Sequence, residues 1–293
     1  MTRTIFSRLL VIALAGGVAS AQAEDAKTDR IVSIGGAVTE ILYDLGLKDR
    51  IVGVDTTSLF PEEALKQKPN VGYMRALSTE GVLSLKPSLV VAIEGSGPPD
   101  ALALLRETGL PLAMVQDEQT PQGVLKKITD IGKLVHAEPA AAELSKSVQG
   151  HFANLETLRA KVSKPKRVLF VLSLQNGRAL VAGQKSAADG MIALAGGINA
   201  ATGFEGYKAM TDEAIIGAAP DLILMMNTGN HAPAADVFAL PAFSATPAAA
   251  NKALLRMDGL YLLGYGPRTP EAARDLMATL YPELNLPPLG MAR

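Results

Sequence analysis

The chain has 293 residues, 48% of them hydrophobic, which predicts about two domains with sizeable cores. Its formal net charge of −1 at pH 7 argues against nucleic acid or an anionic membrane surface as a partner. The absence of cysteine excludes disulfides and thiolate metal sites, and it leads us to expect no lipid anchor on the mature chain.

Residues 1–23 have the pattern of a cleavable secretory signal peptide. Arg3 and Arg8 precede a short apolar run at 9–18, and small residues at 19–23 offer a cleavage site. A bilayer takes about 20 apolar residues to cross, so this run is too short to be a transmembrane anchor. We therefore expect an exported, unanchored chain, and the signal is typical of a protein retained in a bacterial periplasm.

Residues 24–138 form the predicted first lobe, in which apolar runs alternate with amphipathic segments. Strands are predicted at 30–34, 50–54, 89–93 and 111–115. Helices are predicted at 35–46, 79–85, 101–108 and 122–135. This alternation indicates an α/β lobe with a mostly parallel sheet.

A continuous apolar stripe marks residues 139–164. Its members recur at the period of one helix face and are Leu144, Val148, Phe152, Leu155, Leu158 and Val162. Pro139 is favoured at a first helical position, and Pro165 ends the segment. A helix over 139–161 would be ~35 Å long. We predict that it is a rigid connection between two lobes, rather than an ordinary surface helix.

Residues 165–293 form the predicted second lobe. Strands are predicted at 167–172, 221–226 and 260–263, and helices at 188–194 and 271–281. Residues 227–247, rich in Ala, Pro, Gly and Asn, are predicted to form a loop beside a cleft. The predicted fold is thus α/β, with two similar lobes of mostly parallel sheet, one long rigid helix joining them, and a ligand cleft between them.

One sequence pattern occurs twice, once in each predicted lobe. Residues 72–80 read GYMRALSTE and residues 206–213 read GYKAMTDE, and each copy continues through a proline into an apolar run. The pattern places a tyrosine, Tyr73 or Tyr207, in a loop and a glutamate, Glu80 or Glu213, at the start of a short helix. Two lobes of such similar construction are expected to face each other across a cleft.

Four stretches carry a family resemblance: 30–46, 71–78 (VGYMRALS), 187–197, and 257–269, which ends in GYGPRT. They resemble periplasmic binding proteins of ABC importers in which one long helix joins two α/β lobes and which carry haem, vitamin B12 or iron–siderophore complexes. The second and fourth stretches are typical of haem carriers. The resemblance covers residues 29–287 and implies a haem-binding carrier, with a corrinoid or a ferric siderophore as the alternative cargo.

Ferric haem calls for an anionic iron ligand, an apolar slot and a cation for its propionates. Tyrosinate is a known ligand of haem iron, and a neighbouring arginine favours the phenolate or binds a propionate. By resemblance, Tyr73 is assigned as the axial ligand of ferric haem b and Arg75 as its cationic partner. Further candidates for lining the pocket are Tyr207, Lys208, Arg178 and His231.

The resemblance gives Glu80 and Glu213 a different role. An acidic side chain near a helix N-terminus is stabilised by the exposed N–H groups, so a simple capping role is the alternative. In proteins of this fold, one glutamate from each lobe pairs with arginines of the permease. The implied partners are an inner-membrane haem ABC permease dimer with its cytoplasmic ATPase, and an outer-membrane receptor that supplies haem to a monomeric carrier.

Other readings have less support in the sequence. We find no Gly-x-Ser-x-Gly elbow, phosphate-binding glycine loop or His-Glu-x-x-His motif, so we do not expect an enzyme. Zinc and manganese carriers need three or four converging ligands, which three scattered histidines do not readily provide. Vitamin B12 carriers tend to present tryptophan to the corrin, and this chain has none.

Overall fold

A computed structural model of the chain describes residues 30–175, 178–227 and 234–286. The predicted signal peptide, His231 and part of the predicted cleft-border loop lie outside these ranges. The described residues form two large sheets and one two-stranded sheet with helices packed around them, so the mixed α/β class is confirmed.

The first lobe is built on a four-stranded sheet in which every pair of strands is parallel. The strands of the whole lobe are β1 Ile31–Ile34, β2 Ile51–Val54, β3 Gly72–Tyr73, β4 Ala76–Leu77, β5 Leu89–Ile93 and β6 Leu112–Val115. Its helices are α1 Gly36–Asp44, α2 Glu62–Gln67, α3 Thr79–Ser84, α4 Pro99–Glu107 and α5 Pro121–Leu134, with a 3-10 turn at Lys48–Arg50. The sheet order is β2-β1-β5-β6, and β3 and β4 form a separate antiparallel hairpin.

The long helix between the two sheets is α6, Glu138–Arg159, and its 22 residues span about 33 Å. Its apolar stripe is buried at Val148, Phe152 and Leu155. Because α6 packs against α5 on one side and against the last long helix of the second lobe on the other, it shares one apolar core with both lobes.

The second lobe contains a mixed sheet. Its strands are β7 Arg167–Gln175, β8 Arg178–Ala182, β9 Ile198–Asn199, β10 Tyr207–Met210, β11 Leu222–Asn227 and β12 Leu254–Asp258. Its helices are α7 Ala187–Leu194, α8 Asp212–Ala218, α9 Ala234–Ala239, α10 Pro241–Ser244, α11 Pro247–Ala250, α12 Gly259–Leu263 and α13 Thr269–Leu280, followed by a 3-10 turn at Pro282–Leu284. The order is β10-β8-β7-β11-β12, with β9 beside β7. The β10–β8 and β8–β7 pairs are antiparallel, and the β7–β11, β11–β12 and β7–β9 pairs are parallel.

Two sequence predictions for the second lobe are wrong. Residues 260–263 are not a strand but most of helix α12, which Asp258 caps by accepting a hydrogen bond from the Tyr261 N–H at 2.8 Å. The predicted loop at 227–247 contains α9 and α10, and Pro241 occupies the first turn of α10. A short apolar run fits a buried helical turn as well as a strand, and here the capping aspartate decides between them.

The two lobes meet along a seam at the carboxyl edges of their sheets. A methyl group added to Gly36, just after β1, would lie 2.5 Å from Leu260 in α12. Nearby, the Arg268 guanidinium forms an ion pair of 2.9 Å with Glu40 of α1. The carboxyl edges of the sheets therefore face each other, and the loops that follow their strands border the cleft.

Asp44, at the end of α1, is expected to make the stability of the fold depend on pH. Asp44 is exposed, but nearby protein atoms displace part of the water around its carboxyl group, and this partial desolvation together with the negative charge of Glu40 raises the pKa of Asp44 to about 6. An acid whose pKa rises on folding stabilises the fold at low pH and loses that contribution as the pH rises through the folded pKa. We therefore expect the wild-type fold to lose stability as the pH rises from 3.8 to about 6, and we expect Asp44→Asn not to show that loss.

At pH 7 this substitution should stabilise the fold by roughly 1 kcal/mol at most, because one side of the carboxyl stays open to water. The measurement is the melting temperature from pH 4 to pH 8, with Asp49→Asn, an exposed acid near the same helix end, as the control. Identical pH profiles for wild type and Asp44→Asn would contradict the prediction.

Candidate functional site

Tyr73 and Arg75 lie on the β3–β4 hairpin, at the carboxyl edge of the first sheet. Leu77 is buried, and Met74 packs between the apolar core shared by both lobes and a second cluster in the first lobe, so these two side chains fix the inner face of the hairpin. Tyr73 is 44% exposed and Arg75 is also exposed. The hairpin therefore presents a phenol and a guanidinium, two residues apart, to the space outside the core.

Backbone hydrogen bonds hold this hairpin from both sides. The Thr56 N–H, in the loop after β2, donates to the Gly72 carbonyl at 2.9 Å. The Gly97 N–H, in the loop after β5, donates to the Met74 carbonyl at 2.8 Å. Tyr73 is thus positioned by two loops that leave the carboxyl edge of the sheet.

Gly72 is required for the tight backbone before Tyr73. Its φ is +102°, and an added Cβ would lie 2.9 Å from the Ala76 carbonyl oxygen. We expect Gly72→Ala to displace the hairpin and lower the free energy of unfolding by about 1–3 kcal/mol. The measurement is urea unfolding, with Gly95→Ala as the control, because Gly95 has a φ of +82° but no atom within 4 Å of its added Cβ. Equal losses in the two variants would show that the clash with Ala76 is unimportant.

Tyr207 occupies the matching place in the second lobe, on the edge strand β10, where it is 42% exposed. It pairs with Ala182 of β8. Because side chains alternate along a strand, Arg178 of β8 lies on the same face as Tyr207, whereas Lys208 lies on the opposite face. The Lys208 ammonium is 5.9 Å from the centre of the Phe204 ring. The geometry therefore favours Tyr207 and Arg178 over Lys208 as cleft residues.

The positive charge of Arg75, in the first lobe, affects the pKa of Tyr207 in the second lobe. Burial raises the pKa of Tyr207, and the positive charge of Arg75 partly opposes that rise. Tyr207 in turn lies close enough to Tyr265 to contribute to the raised pKa of that phenol, for which burial is the main cause and the charge of Asp189 the next. The structure thus brings Arg75 and Tyr207, which are 132 positions apart in the sequence, to the same space between the lobes.

The N-terminus of α1 also lies at this edge, and a carboxylate of the chain itself occupies it. Asp55 is fully buried, and it accepts hydrogen bonds from the Gly35 N–H at 2.8 Å and the Thr57 N–H at 3.0 Å. The Thr57 hydroxyl accepts the Gly36 N–H at 3.0 Å. A helix N-terminus commonly binds anions, and here side chains of the chain itself accept the Gly35 and Gly36 N–H groups. Sequence reasoning missed Asp55, although an Asp-Thr-Thr-Ser run directly after a strand is a signal for such a network.

Glu80 and Glu213 occupy the same position in two similar helices. Ser78 caps α3 and Thr211 caps α8, each by accepting a hydrogen bond from the backbone N–H three residues on, at 3.0 and 3.3 Å. Each glutamate is exposed and is the second residue of its helix. Hydrogen bonds from its own N–H and from Thr211 lower the pKa of Glu213. The repeat therefore presents one exposed carboxylate on each lobe.

Within the described ranges, no group of three or more His, Asp or Glu side chains could hold a bare metal ion. Over the same part of the chain, no helix combines the length and apolar character needed to cross a membrane.

Known sequences related to this chain are transport proteins. The sequence profile of the family described as periplasmic binding protein matches residues 31–260. YvrC of Bacillus subtilis (strain 168), an uncharacterized ABC transporter substrate-binding lipoprotein, is 32% identical over 257 residues, which cover 87% of this chain and 80% of that protein. A vitamin B12-binding protein of Yersinia pestis (strain Pestoides F) is 28% identical over 149 residues, which cover 50% of this chain and 51% of that protein.

Similar solved structures include two periplasmic haem-binding proteins. BhuT, in complex with two haems, is 39% identical with a TM-score of 0.84, over 87% of this chain and 99% of that chain. RhuT from Roseiflexus sp. RS-1, in its apo form, is 37% identical with a TM-score of 0.83, over the same 87% and 99%. The two-lobe architecture of this chain is therefore shared along nearly the whole length of both structures.

Proposed function

The chain belongs to the periplasmic binding protein family, whose members serve ABC importers, and we propose that its cargo is ferric haem, captured in the cleft between the lobes. One observation carries this proposal. An exposed tyrosine, Tyr73, lies on a hairpin anchored from both sides, with Arg75 two residues away and Tyr207 of the other lobe within the range of the Arg75 charge. The haem-binding proteins at 37–39% identity support the same cargo.

Tyr73 is the proposed axial ligand of the iron. A phenolate suits ferric iron, but a free phenol ionises only near pH 10, so a nearby cation must favour the ionised form. Arg75 lies two residues along the same hairpin and provides that cation. Tyr207 is the weaker candidate, because burial raises the pKa of its phenol and so opposes ionisation. The proposed complex is five-coordinate, with one tyrosinate.

The porphyrin and its propionates need different surroundings. Leu59 follows β2, close to the loop that anchors the hairpin, and at 48% exposure it offers an apolar contact to a porphyrin face. At the α1 N-terminus, the Gly35 and Gly36 N–H groups are already bonded to Asp55 and Thr57. We therefore assign the propionates to the side chains of Arg75 and Arg178.

Delivery is the second half of the proposal. After removal of residues 1–23, the lobes at 24–138 and 165–293, joined by 139–164, act as a monomeric shuttle in the periplasm. Haem arrives from an outer-membrane receptor, and the loaded carrier docks on the inner-membrane permease dimer through Glu80 and Glu213 before the cytoplasmic ATPase drives import. The Bacillus subtilis relative is a lipoprotein, so mass spectrometry of the secreted chain should test for a free N-terminus without lipid.

A corrinoid is the second candidate cargo, with a ferric siderophore beside it. The Yersinia pestis relative binds vitamin B12, and its similarity covers half of this chain. A corrin is about as wide as a porphyrin, but a tyrosinate beside an arginine is a ligand arrangement that suits ferric haem. The hairpin geometry around Tyr73 therefore favours haem.

The test is a titration of residues 24–293 with haemin, followed by absorption spectroscopy, beside parallel titrations with cyanocobalamin and a ferric siderophore. We expect saturable haemin binding with a Soret band and the charge-transfer band of high-spin ferric tyrosinate. Saturable binding of cobalamin or siderophore with no saturable haemin binding would overturn the haem proposal and leave the family assignment unchanged.

A further inference from the structure

We infer that Tyr265–Arg268, here called the clasp, is a positioning element that fixes the width of the cleft. The clasp belongs to the second lobe, between α12 and α13, but two buried side chains of the first lobe hold it. The consequence for cargo rests on the proposed haem function. The mechanical role stands on contacts that are independent of any cargo.

Glu40 of α1 binds the Arg268 end of the clasp. Its carboxylate accepts two hydrogen bonds from Arg268, from the backbone N–H at 3.1 Å and from Nη2 at 2.9 Å. Glu40 is 2% exposed, and a buried carboxylate is strongly destabilised unless it is paired. Separating the lobes here would leave this charge without its partner, so the pair opposes opening.

Aromatic rings on both sides hold the same guanidinium. The Arg268 guanidinium carbon lies 3.5 Å from the centre of the Phe60 ring in the first lobe and 5.2 Å from the Tyr261 ring in the second. The Tyr261 hydroxyl in turn donates to Asp275 at 2.9 Å. Stacking of this kind requires a planar cation, so Arg268 is tied to both lobes by contacts that a lysine would not reproduce.

Lys127 of α5 grips the other end of the clasp. Its ammonium is fully buried, forms an ion pair with Asp117 and donates to the Tyr265 carbonyl at 3.1 Å. The Tyr265 hydroxyl donates to the Ala187 carbonyl of α7 at 2.8 Å, which fastens the clasp to its own lobe. Two buried charges, one on each of two helices of the first lobe, thus hold a segment of four residues.

The residues between these two attachments are closely packed. Pro267 is buried, and a Cβ added to Gly266 would lie 3.3 Å from the Glu40 carboxyl group. Because the clasp fixes the second lobe against α1 and α5, it also fixes Tyr207 relative to the hairpin that carries Tyr73 and Arg75. The cleft is therefore a preformed slot, and capture of cargo needs no closure of the lobes.

The experiment measures the distance between the lobes before any cargo is added. The chain contains no cysteine, so spin labels can be placed cleanly at Ala103→Cys on α4 and Ala214→Cys on α8, both of which are exposed. We expect double electron–electron resonance to give one narrow distance distribution for the otherwise unmodified chain, unchanged by haemin. In the double variant Glu40→Gln, Arg268→Gln, the distribution should broaden.

Haemin affinity should fall together with this broadening. If the fraction of molecules with the correct cleft width drops to about a tenth, the apparent affinity drops about tenfold. The absorption spectrum of each bound haem should stay unchanged, because Tyr73 and Arg75 are intact. A change in the charge-transfer band would point to direct contact between Arg268 and the cargo, and would overturn the positioning role.

Lys127→Met is the second variant, and Lys126→Met, at the exposed neighbouring lysine, is its matched control. The Lys127 variant should broaden the distances even if the Glu40, Arg268 variant does not fold, whereas the Lys126 variant should not. Narrow distances and wild-type affinity in folded variants would refute the clasp. If the variants broaden the distances but the otherwise unmodified chain does not bind haemin, the clasp is supported and the haem proposal is rejected.

Discussion

Replacing Tyr73 by phenylalanine is expected to lower the affinity for ferric haem by at least about 100-fold. Loss of a group that only supports a metal ligand costs 10–100-fold, and loss of the ligand itself should cost no less. The substitution removes one hydroxyl from a side chain that is 44% exposed, so the free energy of unfolding should change by less than about 0.5 kcal/mol. A haemin titration should show both a weaker affinity and loss of the tyrosinate charge-transfer band.

Two further tyrosines make this result decisive. Tyr43 lies on α1 away from the carboxyl edge of the sheet, so Tyr43→Phe should bind haemin like the wild type. Tyr207→Phe should keep the charge-transfer band, because Tyr207 is proposed to line the cleft without binding the iron. If Tyr207→Phe loses the band and Tyr73→Phe retains it, the iron ligand belongs to the second lobe and our assignment is wrong.

Local patterns predicted the elements that have a strong local signal. The runs at 89–93 and 222–226 are strands, and the stripe from Leu144 to Leu158 lies on one helix, α6. The repeated motif correctly placed Glu80 and Glu213 in the first turns of two short helices, because a hydroxyl cap followed by an acid is a helix-start signal. These features depend on residues within one or two turns of each other.

The rest depends on contacts that no local pattern contains. β10 is an edge strand and β8 lies between it and β7, all paired antiparallel, and the short runs of β8 and β10 do not predict strands by themselves. Glu40 and Arg268 each lie within a stretch that carries the family resemblance, but they are 228 positions apart and only the folded chain joins them. The approach of Arg75 to Tyr207 is of the same kind. The sequence thus suggests candidate side chains for the proposed site, whereas the relation between its two halves requires the fold.

Reversing both charges in the variant Glu80→Arg, Glu213→Arg is expected to lower permease-dependent haem uptake by at least about 100-fold and to leave haem affinity unchanged. Losing one partner of a buried interfacial charge pair costs about 2–5 kcal/mol, and here two pairs would become repulsive. Both glutamates are exposed and stand in helix first turns outside the hairpin that holds Tyr73. The measurement pairs haem uptake into vesicles that contain the permease with a haemin titration of the same variant.

The control must reverse two charges without touching the repeated motif. Glu62 and Glu138 are exposed first-turn glutamates of α2 and α6. Reversing their charges changes the net charge by the same amount as reversing Glu80 and Glu213, and it likewise places positive charges at two helix N-termini. If that control also abolishes uptake, docking depends on overall charge and not on the two motif positions. If Glu80→Arg, Glu213→Arg loses haem affinity, the glutamates act on the cleft. If only the motif variant loses uptake and it still binds haem, docking on the permease requires one carboxylate from each lobe. A motif that occurs once in each lobe would supply this pair of carboxylates to a two-fold symmetric permease.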